Sequence, residues 1–244
     1  MAMEMKTTAL VIADISGYTR FIVSRRISRL HAELIVTDLI EAVAAKARHP
    51  LRLNKLEGDA AFFVAPLEDA DADALDDVID QVRNFFGAFR EKQAEHFNGC
   101  HGGCRCSACR SIQNLRLKAL VHVGEVIYKS IGDFQEVAGE DVILVHRLLK
   151  NTVPDDEYVL LTKTAADRIK SPPFAVASTH TEQVDDLGPV KVVVCQPDGA
   201  TALVRPQNEP LASLDGVKDF VLATWYAMAN RVVGQDRTFH NLPA

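Results

Sequence analysis

The tightest constraint on the fold of this chain is a joint of three residues. Residues 51–56 and 60–65 are two strand-like runs, separated only by Glu57-Gly58-Asp59. A connection that short closes an antiparallel hairpin, because a parallel crossover needs a dozen or more residues. Residues 9–13 are wholly apolar and partly β-branched, as in a strand buried on both faces, and they stop at Asp14. Ile27, Leu30, Leu34, Ile35, Leu39 and Val43 recur with helical spacing, and His49-Pro50 closes that helix. Leu75, Val78, Ile79, Val82, Phe85, Phe86 and Phe89 follow the i, i+3, i+4, i+7 pattern of an amphipathic helix. The acidic run at 68–80 puts negative charge at the positive end of that helix's dipole.

Further on, Leu115, Leu117, Ala119, Val121 and Val123 alternate along one strand face. Gly124 interrupts the run, and residues 126–131 are expected to pair back on it. A helix over 142–149, a strand over 158–161, a short helix over 163–169 and a strand over 190–195 complete the pattern. Hairpins interleaved with helices predict an α+β domain with a mostly antiparallel sheet, not a doubly wound parallel one. Residues 197–210 read as a linker, and 214–233 as a last helix with Phe220, Val221, Trp225 and Tyr226 on its apolar face. The expected division is one domain over 1–200, followed by linker and helix over 201–244.

Charge and cysteine usage narrow the function. A net charge of −6 argues against a nucleic-acid binder driven by bulk positive charge. No apolar run is long enough for a membrane span. Residues 1–8 include Glu4 and Lys6 and lack the apolar stretch of a signal peptide, so the expected compartment is the cytoplasm. In a reducing compartment, Cys100, Cys104, Cys106 and Cys109 suit a metal rather than disulfides. Gly99, Gly102 and Gly103 let the backbone wrap an ion, with His96 and His101 as spare ligands. Structural Zn²⁺ is the expectation for this insert over 96–112; an iron–sulfur cluster and unmetallated thiols are the alternatives. Cys195 stands apart and is expected to be buried in a strand.

Two carboxylates draw the functional reading. Asp14 ends a buried strand and Asp59 sits on the hairpin turn. If those strands are neighbours, both carboxylates meet at one end of the sheet. Two hard oxygen ligands there hold Mg²⁺ or Mn²⁺, with water and phosphate oxygens filling the other positions. The Ile15 carbonyl is a candidate further ligand. The same residues also suit purely structural duty, Asp14 as a helix cap and Asp59 as a turn residue.

The segment Asp14-Ile15-Ser16-Gly17-Tyr18-Thr19-Arg20-Phe21 resembles the opening motif of the class III nucleotidyl cyclases, the adenylate and guanylate cyclase catalytic domains. Lys55-Leu56-Glu57-Gly58-Asp59-Ala60 is similar to that family's second metal motif. His122-Val123-Gly124-Glu125 resembles the strand that follows its long third helix. Gly139-Glu140-Asp141-Val142-Ile143-Leu144-Val145-His146-Arg147-Leu148 resembles its late helix. The four motifs stand in the family's order. The cysteine insert resembles that of an uncharacterised bacterial branch of cyclase-like proteins.

The resemblance implies a ferredoxin-like βαββαβ fold and a head-to-tail homodimer whose sites are built from both chains. It implies Asp14 and Asp59 as the metal aspartates, and Ile15 and Gly17 as substrate-binding residues of the opening motif. Lys55 becomes the purine-reading lysine, which makes ATP the expected nucleoside triphosphate, and Glu136 takes the second purine-reading position. Arg147 becomes the arginine that meets the partner chain's phosphate in the transition state. Three departures accompany this. Ile143 stands where the family has a ribose-orienting asparagine, and Glu136 and His146 replace shorter residues. A missing orienting group is costly, because rate depends steeply on position. The resemblance implies metal-dependent nucleotide binding and conversion of ATP to cyclic AMP and pyrophosphate, and these departures favour weak or absent turnover. The alternative is a catalytically degenerate cyclase-fold sensor or interaction module.

Overall fold

A computed structural model describes residues 3–23, 29–67, 73–99, 111–132 and 134–197. Cys100, Cys104, Cys106 and Cys109, the linker and the C-terminal helix lie outside the described residues. The hairpin is present: β2 (Arg52–Glu57) and β3 (Ala60–Pro66) pair antiparallel, with Glu57 opposite Ala60. β1 (Met3–Ser16) lies between β3 and β4 (Arg116–Ile131). β6 (Tyr158–Thr162), β8 (Gly188–Gln196) and β7 (Ala175–Val184) extend the sheet in the order β2-β3-β1-β4-β6-β8-β7, and β5 (Phe134–Ala138) pairs with β4 off that path. Among the described residues only the β4–β6 pairing is parallel.

Helix α1 spans Tyr18–Val23, α2 Arg29–Ala44 and α3 Ala74–Gly99. With α2 between β1 and β2, and α3 between β3 and β4, the order β2-β3-β1-β4 is the ferredoxin-like arrangement. Two short helices follow, α4 (Glu140–Arg147) and α5 (Lys163–Ala166).

The wholly apolar β1 is buried on both faces because it alternates between two cores. Ala9, Val11, Ala13 and Ile15 pack with Leu39 and Val43 of α2 and with Val82 and Phe85 of α3. Leu10 and Ile12 face the other way, onto Val142 and Val145 of α4. Each large apolar side chain so buried contributes about 1.5–3 kcal/mol. The first face is covered by α1, α2, α3 and α5; among the described helices, α4 and the 3-10 turn Leu148–Lys150 that follows it cover the second. The second face therefore leaves room for clefts.

Two expectations need correction, and one strand was not expected. β4 does not break at Gly124. It pairs with β1 without interruption from Arg116 opposite Ser16 to Lys129 opposite Met3, and β5 makes the return instead. Gly124 is there for space: a Cβ would lie 2.2 Å from the Asp141 carboxylate. Leu34 is 55% exposed, since the core-facing stripe of α2 runs through Ile35, Leu39 and Val43. β7 carries no sequence signal, because its residues Ala175–Val184 are largely polar and exposed at the sheet edge. The expected burial of Cys195 in a strand holds, and burial pushes its thiol up to about 11, so it is not a thiolate at neutral pH. No helix among the described residues is long and apolar enough to cross a membrane.

Candidate functional site

The register of three strands brings the two aspartates together. Asp14 lies opposite Ala60 of β3 on one side and Lys118 of β4 on the other. Asp59 precedes Ala60 on the turn, and its carbonyl accepts the Ile15 N–H at 3.3 Å. Beyond β1 the chain turns at Gly17, whose φ of +88° suits glycine alone among common residues. The Gly17 carbonyl then accepts the Phe21 N–H at 2.9 Å, starting α1. The result is a cleft of about 490 Å³ lined by Asp14, Ile15, Gly17, Tyr18, Asp59 and Lys118.

Lys118 is the group that sequence reasoning missed. Its Nζ stands 2.9 Å from Asp14 Oδ2, with both side chains largely buried. Burial opposes the lysine's charge, but the hydrogen bond and the negative charge of Asp14 outweigh it and raise its pKa. Among the described residues, Asp59 has no such ion-pair partner. Burial, and then the negative charge of Asp14, push its carboxyl up to about 6. Tyr18 donates to Glu33 at 3.3 Å, and burial together with Glu33 raises its pKa. Asp14 and Asp59 thus share a cleft with the Lys118 ammonium group, and Arg20 and Asp156 line it as well.

That donor set suits a hard divalent cation. Burial and the neighbouring Asp14 charge raise the cost of ionising Asp59, and a Mg²⁺ or Mn²⁺ ion between the two carboxylates would offset it. Among the described residues, no group of three or more His, Cys, Asp or Glu side chains forms a closed metal site. A pair of carboxylates leaves the other coordination positions to water and phosphate oxygens. His96, a spare ligand in the sequence reading, lies 2.9 Å from Asp38 of α2.

A second cleft, about 550 Å³, opens beside α4 and is lined by Lys55, Glu57, Ile143, His146, Arg147 and Asp185, among others. Lys55 Nζ is 2.7 Å from Glu57 and lies 5.6 Å from the centroid of the Phe62 ring. His146 Nε2 meets the Glu57 carboxylate at 3.1 Å, across 89 residues of sequence. Its Nδ1 donates to the Val142 carbonyl at 2.7 Å, and its ring stands edge-on to Phe62. Arg147, half-exposed, reaches Asp186 at 3.3 Å and Asp185 at 3.8 Å. Ile143 is 53% exposed at the cleft rim. Glu136 sits on β5 opposite Lys129 and lines neither cleft.

Besides Val142 and Val145, what fixes α4 is a polar clasp anchored on buried His122. His122 Nε2 meets Asp141 Oδ1 at 2.8 Å, His122 Nδ1 meets Thr162 Oγ1 at 2.8 Å, and Asp141 Oδ2 accepts the Glu125 N–H at 2.7 Å. The carboxylate fits only because position 124 lacks a side chain. The two clefts share no lining residue among the described residues, so one chain carries two separate clefts.

The fold is that of adenylyl and guanylyl cyclase catalytic domains. The adenylyl cyclase CyaB from P. aeruginosa superposes with a TM-score of 0.62 at 13% identity, covering 84% of this chain and all of that one. The guanylate cyclase domain of RhGC from Catenaria anguillulae, solved in complex with GTP, superposes with a TM-score of 0.58 at 14% identity, covering 80% of this chain and 98% of that one. At such identities the likeness is one of fold. The chain belongs to the family described as protein of unknown function (DUF2652), whose model matches residues 36–158. The uncharacterized protein Rv2561/Rv2562 of Mycobacterium tuberculosis is 36% identical over 154 residues, 63% of this chain and 69% of its own length.

Proposed function

We propose that this chain binds a nucleoside triphosphate with Mg²⁺ or Mn²⁺ and, at a site completed by a second copy of itself, converts it to the cyclic monophosphate and pyrophosphate. The observation that carries this is the meeting of Asp14, Asp59 and Lys118 in one cleft at the end of β1. Asp14 and Asp59 would hold the metal, and the Ile15 carbonyl is the candidate further ligand. Bound there, a divalent ion supplies Lewis-acid polarisation and neutralises phosphate charge. Lys118 would add a positive charge for the triphosphate, turning from Asp14 as the metal takes its place. In the reaction the 3′-oxygen bonds to the α-phosphorus, the bond from that phosphorus to the β-phosphate oxygen breaks, and the 3′-hydroxyl proton is released. Separate half-sites on one chain support a dimer, because Lys55 and Arg147 serve the same nucleotide as Asp14 and Asp59 only from a partner copy. Arg147 would then exchange its half-exposed contact with Asp186 for phosphate oxygens. The proposal keeps a structural Zn²⁺ on Cys100, Cys104, Cys106 and Cys109, which elemental analysis of the purified protein tests.

One observation favours a second reading, a nucleotide-binding module without turnover. Ile143 presents an apolar side chain, 53% exposed, where the resemblance expects a ribose-orienting amide. Incubation with each of the four nucleoside triphosphates and Mn²⁺, followed by chromatography for cyclic product, separates the readings. Product from any of them, lost in Asp14→Ala, supports the cyclase. Binding without product supports the module. No product, with nucleotide binding unchanged in Asp14→Ala, defeats the metal-cleft account.

A further inference from the structure

A third cleft, about 490 Å³, shares no lining residue with either of the other two. It opens at the start of β1, where Lys6 stands eight residues before Asp14 and so about 26 Å from it along the strand. Lys6, His49, Arg52, Tyr128 and Gln135 line it, and Glu4 is the carboxylate among its lining residues. The platform is Tyr128. Its hydroxyl pairs with Thr8 Oγ1 at 3.1 Å, and Thr8 is fully buried, so the ring is fixed to the sheet. The Arg52 guanidinium lies over that ring, 5.6 Å from its centroid, within cation–π range. Among the described residues, Arg52 has no carboxylate partner. Lys6 Nζ meets Glu4 at 3.1 Å, but both side chains are well exposed, and such a pair is worth little. Lys6 and Arg52 against Glu4 leave the lining positive, on a chain whose net charge is −6.

A guanidinium fork bonds two oxygens of a carboxylate or a phosphate in parallel, and a fork already held on a ring gives up little freedom in doing so. A monocarboxylate satisfies the fork and carries a single charge. A phosphomonoester carries about −1.5 to −2 at pH 7 and has three terminal oxygens, enough for the fork and for a second cation. Lys6 is that second cation, and it exchanges the exposed Glu4 for the phosphate. Pro50 and Pro66 form a wall for the organic part of the ligand. The volume is in the range that takes a small molecule. We propose that this third cleft binds a small phosphomonoester, with Arg52, held on Tyr128, and Lys6 taking the phosphate. The site uses no residue of the Asp14–Asp59 cleft or of the cleft beside α4, so it stands or falls apart from the nucleotide reading.

The test is calorimetric titration of the full chain, in phosphate-free buffer without divalent metal, using phenyl phosphate and, separately, benzoate. One more hydrogen bond between charged groups separates two ligands by about tenfold or more. Phenyl phosphate is expected to bind saturably, about tenfold or more tighter than benzoate. Arg52→Gln should weaken phenyl phosphate about tenfold or more, and Arg52→Lys, which keeps the charge and loses the fork, by less. Lys6→Gln should bring phenyl phosphate to within about threefold of benzoate. Lys118→Gln, in the metal cleft, should leave phenyl phosphate affinity unchanged. The proposal is overturned if phenyl phosphate shows no saturable binding, if benzoate binds as tightly, if Arg52→Gln binds phenyl phosphate as the unaltered protein does, or if Lys118→Gln abolishes the binding. Should Arg52→Gln not fold, Arg52→Lys and Lys6→Gln decide, and unchanged affinity in both overturns it.

Discussion

The two clefts are built by different means. The Asp14–Asp59 cleft is fixed by strand register: Asp14 faces Ala60 and Lys118 across two ladders, and a backbone hydrogen bond ties Ile15 to the Asp59 carbonyl. The Lys55–Arg147 cleft is fixed by side chains on a short helix, which Val142, Val145 and the His122–Asp141 clasp hold to the sheet. A ladder does not shift without losing many bonds at once. A helix of eight residues, docked by a few contacts, tolerates change. Residues in the second cleft accordingly depart from the cyclase resemblance at Ile143 and His146, while the first keeps both aspartates.

The comparison breaks most easily at the metal aspartates. Asp14→Asn and Asp59→Asn should each lower cyclic-product formation by about a hundredfold or more, the scale of losing one charge-stabilising group at a reaction centre. A timed product assay at saturating Mn²⁺ checks it. Gly124→Ala should come next. It pushes a Cβ into the Asp141 carboxylate and should cost roughly 1–3 kcal/mol, read by urea unfolding. Its damage should fall on the second cleft, weakening base discrimination before Mn²⁺ binding.

A smaller effect sharpens the account of the first cleft. Asp59 holds its proton up to about pH 6, above its ordinary value of 3.8. Between those values the folded protein binds more protons than the unfolded chain, so stability falls as pH rises through this window. Above it, the destabilisation is fully present in the metal-free protein. Thermal melts of metal-free protein across the window should show this slope, and Asp59→Asn should flatten it. Mn²⁺ should restore stability above the window and release protons on binding. The smallest effect belongs to the second cleft's rim. Asp186→Ala removes an exposed partner of Arg147 and should change stability by no more than about 0.5 kcal/mol in chemical denaturation.

Much of the fold was legible in local pattern. The three-residue joint forced the hairpin, and the apolar run before Asp14 announced a strand buried on both faces. Gly124 misled, because a glycine that ends a strand and one that makes room for Asp141 look alike in sequence. β7 was silent, since an edge strand with polar exposed residues lacks hydrophobic alternation. Of the site, Asp14 and Asp59 were legible because each ends or turns a strand. Lys118 was readable in principle: it alternates with Leu117 and Ala119, so it must point to the face opposite theirs. Pairing it with Asp14 required the β1–β4 register. The Glu57–His146 contact spans 89 residues and leaves no local trace.

The most direct test of the account is a Mn²⁺ titration followed by electron paramagnetic resonance, in the presence of a non-cleavable nucleoside triphosphate. The account predicts saturable binding to the unaltered protein, weakened about tenfold or more by Asp14→Asn and by Asp59→Asn alike. Equal Mn²⁺ affinity in all three proteins would contradict it.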